Sequence, residues 1–351
     1  MRDVAIIATA QRPSQAHTTL TSVELMFPVI NQVLERAGLE RHEIGFWCHG
    51  SCDYMSGQPF SFVAAVDALG AWPPIVESHV EADGAFALYE AWVKIQTGEC
   101  DTALVFSNGK TSAGPIDRIL TLQMDPYTVA PLWPGLHVVS ALQARACLDA
   151  GVVTERQMAD VAARSRRDAL ANPVALVSGD ETPDELLARP YTTAPLREHD
   201  CGVVADGANA VVIAAGDVAR SLCERPAWIR GFDHRIDAQR LGSRPLTSSP
   251  SAAIAAERAG VGADRLDVAE LHAPYTHQEL LLRSAMGLDP DRTRINPSGG
   301  ALVANPQMAA GLARFVEAAD RVLAGDADRV LAHCTSGPCL QQNLVGVMEG
   351  E

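Results

Sequence analysis

Ser78-His79-Val80-Glu81-Ala82-Asp83-Gly84-Ala85-Phe86-Ala87-Leu88 is the stretch that decides how this chain folds. It reads as a short strand, a tight turn and the start of a helix. The helix runs on to Gly98, and Asp101-Thr102-Ala103-Leu104-Val105-Phe106 follows as an apolar run with the length of a buried strand. The turn residues therefore sit at a helix N-terminus, where backbone N–H groups and the helix dipole favour negative charge. Open α/β sheets carry their sites at such strand-to-helix turns.

Working outward, strands and helices alternate, which predicts α/β layering. Val4-Ala5-Ile6-Ile7-Ala8 and Ile44-Gly45-Phe46-Trp47-Cys48 read as strands. Thr21-Ser22-Val23-Glu24 has capping-box spacing and predicts a helix to about Ala37, bent slightly at Pro28. Thr154-Glu155-Arg156-Gln157 predicts another, to about Leu170. Gly98-Glu99-Cys100-Asp101-Thr102-Ala103-Leu104-Val105 resembles Gly325-Asp326-Ala327-Asp328-Arg329-Val330-Leu331-Ala332, at an offset of 227 residues. Both stretches end an Ala-rich helix and enter an apolar strand, which predicts two similar halves. The expected division is 1–106 with 196–225 as one half and 226–351 as the other. Residues 107–195, with Pro115, Pro126, Pro131, Pro134, Tyr127 and Trp133, are expected to form an inserted, loop-rich cap over a site.

Composition sets limits. A chain of 351 residues with 47% hydrophobic and 20% charged residues can bury a large core. A net charge of −15 argues against nucleic-acid or anionic-membrane partners, which need dense Lys/Arg patches. No apolar run is long enough to span a bilayer, and no secretory leader is read at the N-terminus, so the expected compartment is the cytoplasm. Eight cysteines are then expected to be buried thiols rather than disulfides. The pair Cys48 and Cys52 with His49, and Cys334 and Cys339 with His333, lack the tight pairing of zinc sites, so no metal is expected.

Four loops gather candidate chemistry: Glu81–Gly84; Glu270-Leu271-His272-Ala273-Pro274-Tyr275; Asn296-Pro297-Ser298-Gly299-Gly300 running on to Asn305-Pro306; and His333-Cys334-Thr335-Ser336-Gly337-Pro338. With these motifs in this order, the chain resembles the thiolase superfamily over essentially its full length. Within it, the chain is similar to the sterol-carrier-protein-x and bacterial lipid-transfer-protein branch. In that family a nucleophilic cysteine precedes the glycine ending its helix by seventeen residues, and here that spacing from Gly98 falls on Glu81. His272 matches the histidine of a His-x-x-Phe loop, with Tyr275 in place of Phe. Asn296–Gly300 matches an Asn-x-x-Gly-Gly turn. Asp206-Gly207-Ala208 matches an Asp-Gly-Ala strand start. Asn305 stands where the family has the histidine of Gly-His-Pro, and Cys334 falls at or next to a second, acid/base cysteine.

The resemblance implies a thiolase-like fold in α-β-α-β-α layers and an acyl-CoA thioester as substrate, with no other cofactor. Gly84, Ser298, Gly299, Gly300 and Gly337 would surround the thioester. Glu81 cannot replace a thiolate as acyl acceptor, but it can act as a base or an electrostatic anchor. His272 and Asn305 can still hold a thioester oxyanion or enolate. A site that keeps the enolate hole and loses the nucleophile fits retro-aldol cleavage of a bulky, sterol side-chain-like β-hydroxyacyl-CoA. Glu81, Tyr275 and His333 are the acid or base candidates. Two alternatives stand beside this carbon–carbon lyase: an acyltransferase that uses Cys334 as nucleophile, and a non-catalytic subunit that binds acyl-CoA. Each residue also has a purely structural reading: Glu81 as a dipole partner, His272 as a core histidine, Asn305 as a cap, Cys334 as an inert thiol and Tyr275 as packing. The resemblance further implies pairing through the strand near Ile75 to Val80. The partner would be a second copy, a paralogous thiolase-like chain or a zinc-ribbon/OB-fold protein.

Overall fold

Residues 2–57 and 59–351 are described by a computed structural model. Its strands are, in chain order, β1 (Val4–Gln11), β2 (Phe46–Ser51), β3 (Glu77–Glu81), β4 (Thr102–Lys110), β5 (Tyr191–Thr193), β6 (Leu196–Arg197), β7 (Asp206–Ala215), β8 (Ala227–Ile236), β9 (Val268–Leu271), β10 (Arg294–Ile295), β11 (Arg329–Ser336) and β12 (Gln342–Glu349). Ten of them share one mixed sheet in the order β10-β9-β11-β12-β8-β1-β7-β4-β2-β3, and β5–β6 is a separate hairpin. The order is symmetric about the β8–β1 seam, where Ala5 faces Trp228 and Ile6 faces Ala227. On one side β4 lies between parallel β2 and antiparallel β7; on the other β11 lies between parallel β9 and antiparallel β12. Thr102 and Arg329, which begin β4 and β11, lie 227 residues apart.

Helices fill three layers around the two halves of this sheet. The middle layer holds helix Gly84–Gln96 and helix Ala310–Leu323. Phe86, Leu88 and Ile95 from the first pack with Leu312, Phe315 and Val316 from the second, between Val105 and Val211 of one half and Val330 and Leu344 of the other. Each such buried side chain contributes about 1.5–3 kcal/mol. Helix Ser22–Ala37 covers the outer face of the first half through Leu25, Met26, Val29 and Ile30. Helices Pro250–Arg258, Thr276–Met286 and Val138–Asp149 cover the outer face of the second through Ala255, Leu282 and Ala144.

Both capping boxes are formed: Thr21 with Glu24, and Thr154 with Gln157. The segment 107–195 is more helical than its prolines suggested, holding helices Ile116–Leu122, Val138–Asp149, Glu155–Asp168 and Pro183–Leu187. Strand β2 starts at Phe46, later than the sequence reading, because Arg41–Glu43 takes a 3-10 turn first. Among the described residues no helix is long and apolar enough to cross a membrane. Among the described residues strand β3 pairs only with β2, leaving its other edge open.

Candidate active site

The strand-to-helix turn at the end of β3 sets the site. Ala82 N–H donates to Val80 O at 2.8 Å, closing a three-residue turn with Glu81 at its apex. That turn sends two carboxylates in different directions. Glu81 points outward: its Oε1 accepts from Asp53 N–H at 2.8 Å, its Oε2 lies 3.9 Å from His79 Nε2, and its side chain is 48% exposed. It does not line the central cavity. Asp83, two residues on, does. The carboxylate at the cavity is therefore that of Asp83, not of Glu81 as the sequence suggests. Glu81→Gln is expected to change stability by no more than about 0.5 kcal/mol, the usual size for a surface substitution. Denaturant melting checks this.

Asp83 caps helix Gly84–Gln96 by accepting from Ala85 N–H at 2.9 Å. It also accepts from Gly311 N–H and Leu312 N–H, both at 2.8 Å, at the start of helix Ala310–Leu323. One buried carboxylate thus joins the N-termini of both central helices, where two dipoles favour an anion. Burial pushes its pKa up, and the three backbone donors oppose that shift. Cys334 lies against it, with its Sγ within 4.8 Å of a carboxylate oxygen. A side chain on residue 311 would run into Cys334 Sγ and Asp83 Oδ1, so this junction requires Gly311.

His272 follows β9 directly, and its backbone N–H donates to His333 O at 3.2 Å, extending the β9–β11 pairing. Its Nδ1 accepts from Thr335 N–H at 3.4 Å and lies 3.7 Å from Cys334 Sγ. That backbone donor places the ring proton on Nε2, which faces Asn305 Oδ1 at 3.3 Å. Burial lowers the His272 pKa to about 4, so the imidazole is neutral near pH 7. With its oxygen turned to His272, the Asn305 amide has its NH2 as the donor left for a ligand.

The cavity has a volume of about 260 Å³. Asp83, His272, Asn305 and Thr335 form its polar floor, and Tyr275, Gly337 and Gln341 continue the wall. Leu120, Gln123, Met124, Val129 and Leu136, all from 107–195, roof it. Tyr275 Oη lies 3.1 Å from His137 Nδ1 and 3.5 Å from Leu136 O, and burial keeps the phenol neutral.

Other expected site residues fall elsewhere. His333 alternates with Cys334 along β11, so its ring leaves the central layer and bonds Asn343 Oδ1 at 2.9 Å, outside the cavity. Cys334 sits behind Asp83 and His272 rather than on the cavity wall. Gly84 is a packing glycine, since a Cβ there would strike Ser107 and Leu312. The Asn296–Gly300 turn holds the end of β9: Asn296 Oδ1 accepts from Leu271 N–H, and Ser298 Oγ bonds Glu270, which pairs with Arg314 at 2.8 Å. Ser298 and Gly300 line a separate narrow crevice, and Gly299 packs on Ser165 and Ala169. The sequence reading quoted Asp83 but assigned it nothing; its signal was an Asp-Gly step at a helix start, the pattern of an N-cap. His137 and the cap side chains carried no motif.

Asp83, His272 and Cys334 bring three ligand-type atoms within 4.8 Å of one another. Both Asp83 oxygens are engaged by backbone donors, and the helix N-termini repel a cation. The helix ends thus favour the charge of the Asp83 carboxylate itself.

No family model matches the chain. Across 349 residues it is 24% identical to an acetyl-CoA acetyltransferase of Methanothermobacter thermautotrophicus, covering 90% of each chain. Over 142 residues it is 28% identical to the benzoylsuccinyl-CoA thiolase subunit BbsB of Thauera aromatica; that stretch is 39% of this chain and 37% of the relative. Among solved structures, the Ltp2–ChsH2(DUF35) aldolase superposes with a TM-score of 0.81 at 19% identity, covering 99% of this chain and 98% of that one. Human mitochondrial 3-ketoacyl-CoA thiolase superposes at 0.79 with 14% identity, covering 99% and 98%. The chain has the thiolase-like α/β fold.

Proposed function

We propose that this protein is a thiolase-superfamily lyase of the sterol-carrier-protein-x type, which cleaves the Cα–Cβ bond of a bulky β-hydroxyacyl-CoA through a CoA enolate. One observation carries the reading: the cavity offers neutral donors and a fixed carboxylate, but no cysteine thiol among its lining residues. The Asn305 amide, oriented by His272, holds the thioester oxygen as it gains charge. Tyr275 faces the same cavity and handles the proton of the β-hydroxyl. The likeness in fold to an aldolase supports the lyase class.

Thiolysis through Cys334 is disfavoured. Burial, and after it the charge of and hydrogen bond to Asp83, raise the thiol well above its ordinary range, so the thiolate does not form. Folded protein treated with iodoacetamide is expected to leave Cys334 unmodified by peptide mass spectrometry, with alkylation only after denaturation.

The lyase reading is tested by incubating the protein with a sterol side-chain β-hydroxyacyl-CoA and assaying for a ketone or aldehyde and a shortened acyl-CoA. Asn305→Ala is expected to lower kcat about 100- to 1,000-fold, the usual cost of losing one oxyanion donor. No carbonyl product from wild type rejects the reading. A binding subunit is the second reading, and one relative is itself called a thiolase subunit. The open edge of β3 suits pairing with a second copy or a thiolase-like or zinc-ribbon/OB-fold partner.

A further inference from the structure

We infer that His137, on the cap, is the proton acceptor that makes Tyr275 a base for the substrate hydroxyl. This rests on the lyase reading above. His137 stands immediately before helix Val138–Asp149, and its Nδ1 is 3.1 Å from Tyr275 Oη, with the rings edge to face at a centroid distance of 5.8 Å. A neutral phenol is a poor base alone, but a phenol whose proton can move to an imidazole accepts another as it gives up its own. Tyr275 lines the cavity together with Asn305, so one substrate can touch both.

The step balances without a co-reactant. The Cβ–O–H proton moves to Tyr275 Oη while the phenol proton moves to His137 Nδ1. The Cα–Cβ bond breaks, its electron pair passes to Cα and the thioester carbonyl, and Cβ leaves as a ketone or aldehyde. The enolate then takes a proton at Cα, returned from His137 through Tyr275.

Burial holds His137 below the ordinary histidine range, so the ring is neutral near pH 7 and keeps a lone pair for the incoming proton. The titratable groups around the pair leave it this role. His277, with its ring 5.8 Å from that of Tyr275, is bonded to Gln143 Oε1 at 3.2 Å. The Cys201 and Cys339 thiols are pushed up to about 12 by burial and stay neutral. Asp125 lies on the cap side of the same cavity, and Asp83 and His272 on its floor.

His137→Gln keeps a hydrogen-bond acceptor for Tyr275 but removes the titrating group. It is expected to lower kcat about 100-fold, within the usual range for general acid–base groups, and to abolish the acidic limb of the kcat–pH profile. In the unliganded wild type, 15N NMR is expected to show Nδ1 of His137 unprotonated at pH 7. A protonated Nδ1 there, or a variant that keeps the wild-type acidic limb, overturns the relay alone. Wild-type protein that cleaves no β-hydroxyacyl-CoA overturns the relay and the lyase reading together.

Discussion

Lowering the pH from 7 towards 4.5 is expected to unfold this protein through its buried histidines. Burial lowers His49, His277 and His333 to about 3 and His272 to about 4. In the unfolded chain each titrates near the ordinary value of about 6.5. The fold therefore holds them neutral, and the stability this represents is fully present above pH 6.5. It drains away as pH falls towards the folded values, because only the unfolded chain then takes up protons. Each proton is worth about 1.4 kcal/mol per pH unit, so these four alone would give about 5 kcal/mol per unit before any opposing groups are counted. Whole domains are stable by only about 5–15 kcal/mol. Buried carboxyls at Asp83, Asp200, Glu270 and Asp320 are pushed up and work in the other direction. Urea unfolding at stepped pH reads the balance: stability should fall steeply below pH 6.5, and His333→Gln should reduce that slope by about one proton. A flat profile between pH 7 and 5 contradicts this reading of the core.

Asp83→Ala is expected to be the most damaging single change at the site. It strands three buried N–H groups, at Ala85, Gly311 and Leu312, at the meeting point of two helix N-termini. Each unsatisfied buried donor costs about 1–3 kcal/mol, so a loss of about 3–5 kcal/mol is expected, short of full additivity. Asp83→Asn keeps one acceptor oxygen but turns an NH2 group against further donors, and should cost about half as much. The midpoint of urea unfolding checks both. Equal stability of wild type and Asp83→Ala would mean that the carboxylate does not join the helices.

What could be read from the chain was local or periodic. Thr21 and Thr154 announce their helices because a capping box lies within four residues. The repeat at Thr102 and Arg329 marks equivalent strands because both halves bury the same kind of apolar strand. Helix Val138–Asp149 carries no clean polar stripe, because Ser140 and Gln143 are buried while Leu142 is exposed. The seventeen-residue spacing from Gly98 points to Glu81 rather than Asp83. Counting cannot reveal that a three-residue turn at Glu81 throws that side chain outward. His333 and Cys334 are adjacent in sequence, yet strand alternation sends them to opposite faces, and only one joins the site. The Tyr275–His137 contact joins residues 138 positions apart, beyond the reach of any local pattern.

In the proposed reaction the cavity floor stabilises a charged thioester oxygen without covalent capture of the acyl group. The most direct measurement is a crystal structure of the protein with a bound, uncleavable β-hydroxyacyl-CoA analogue. The thioester oxygen is expected within hydrogen-bond reach of the Asn305 amide, and the β-hydroxyl against Tyr275 Oη. A thioester bound away from Asn305, or an acyl group attached to Cys334, would contradict it.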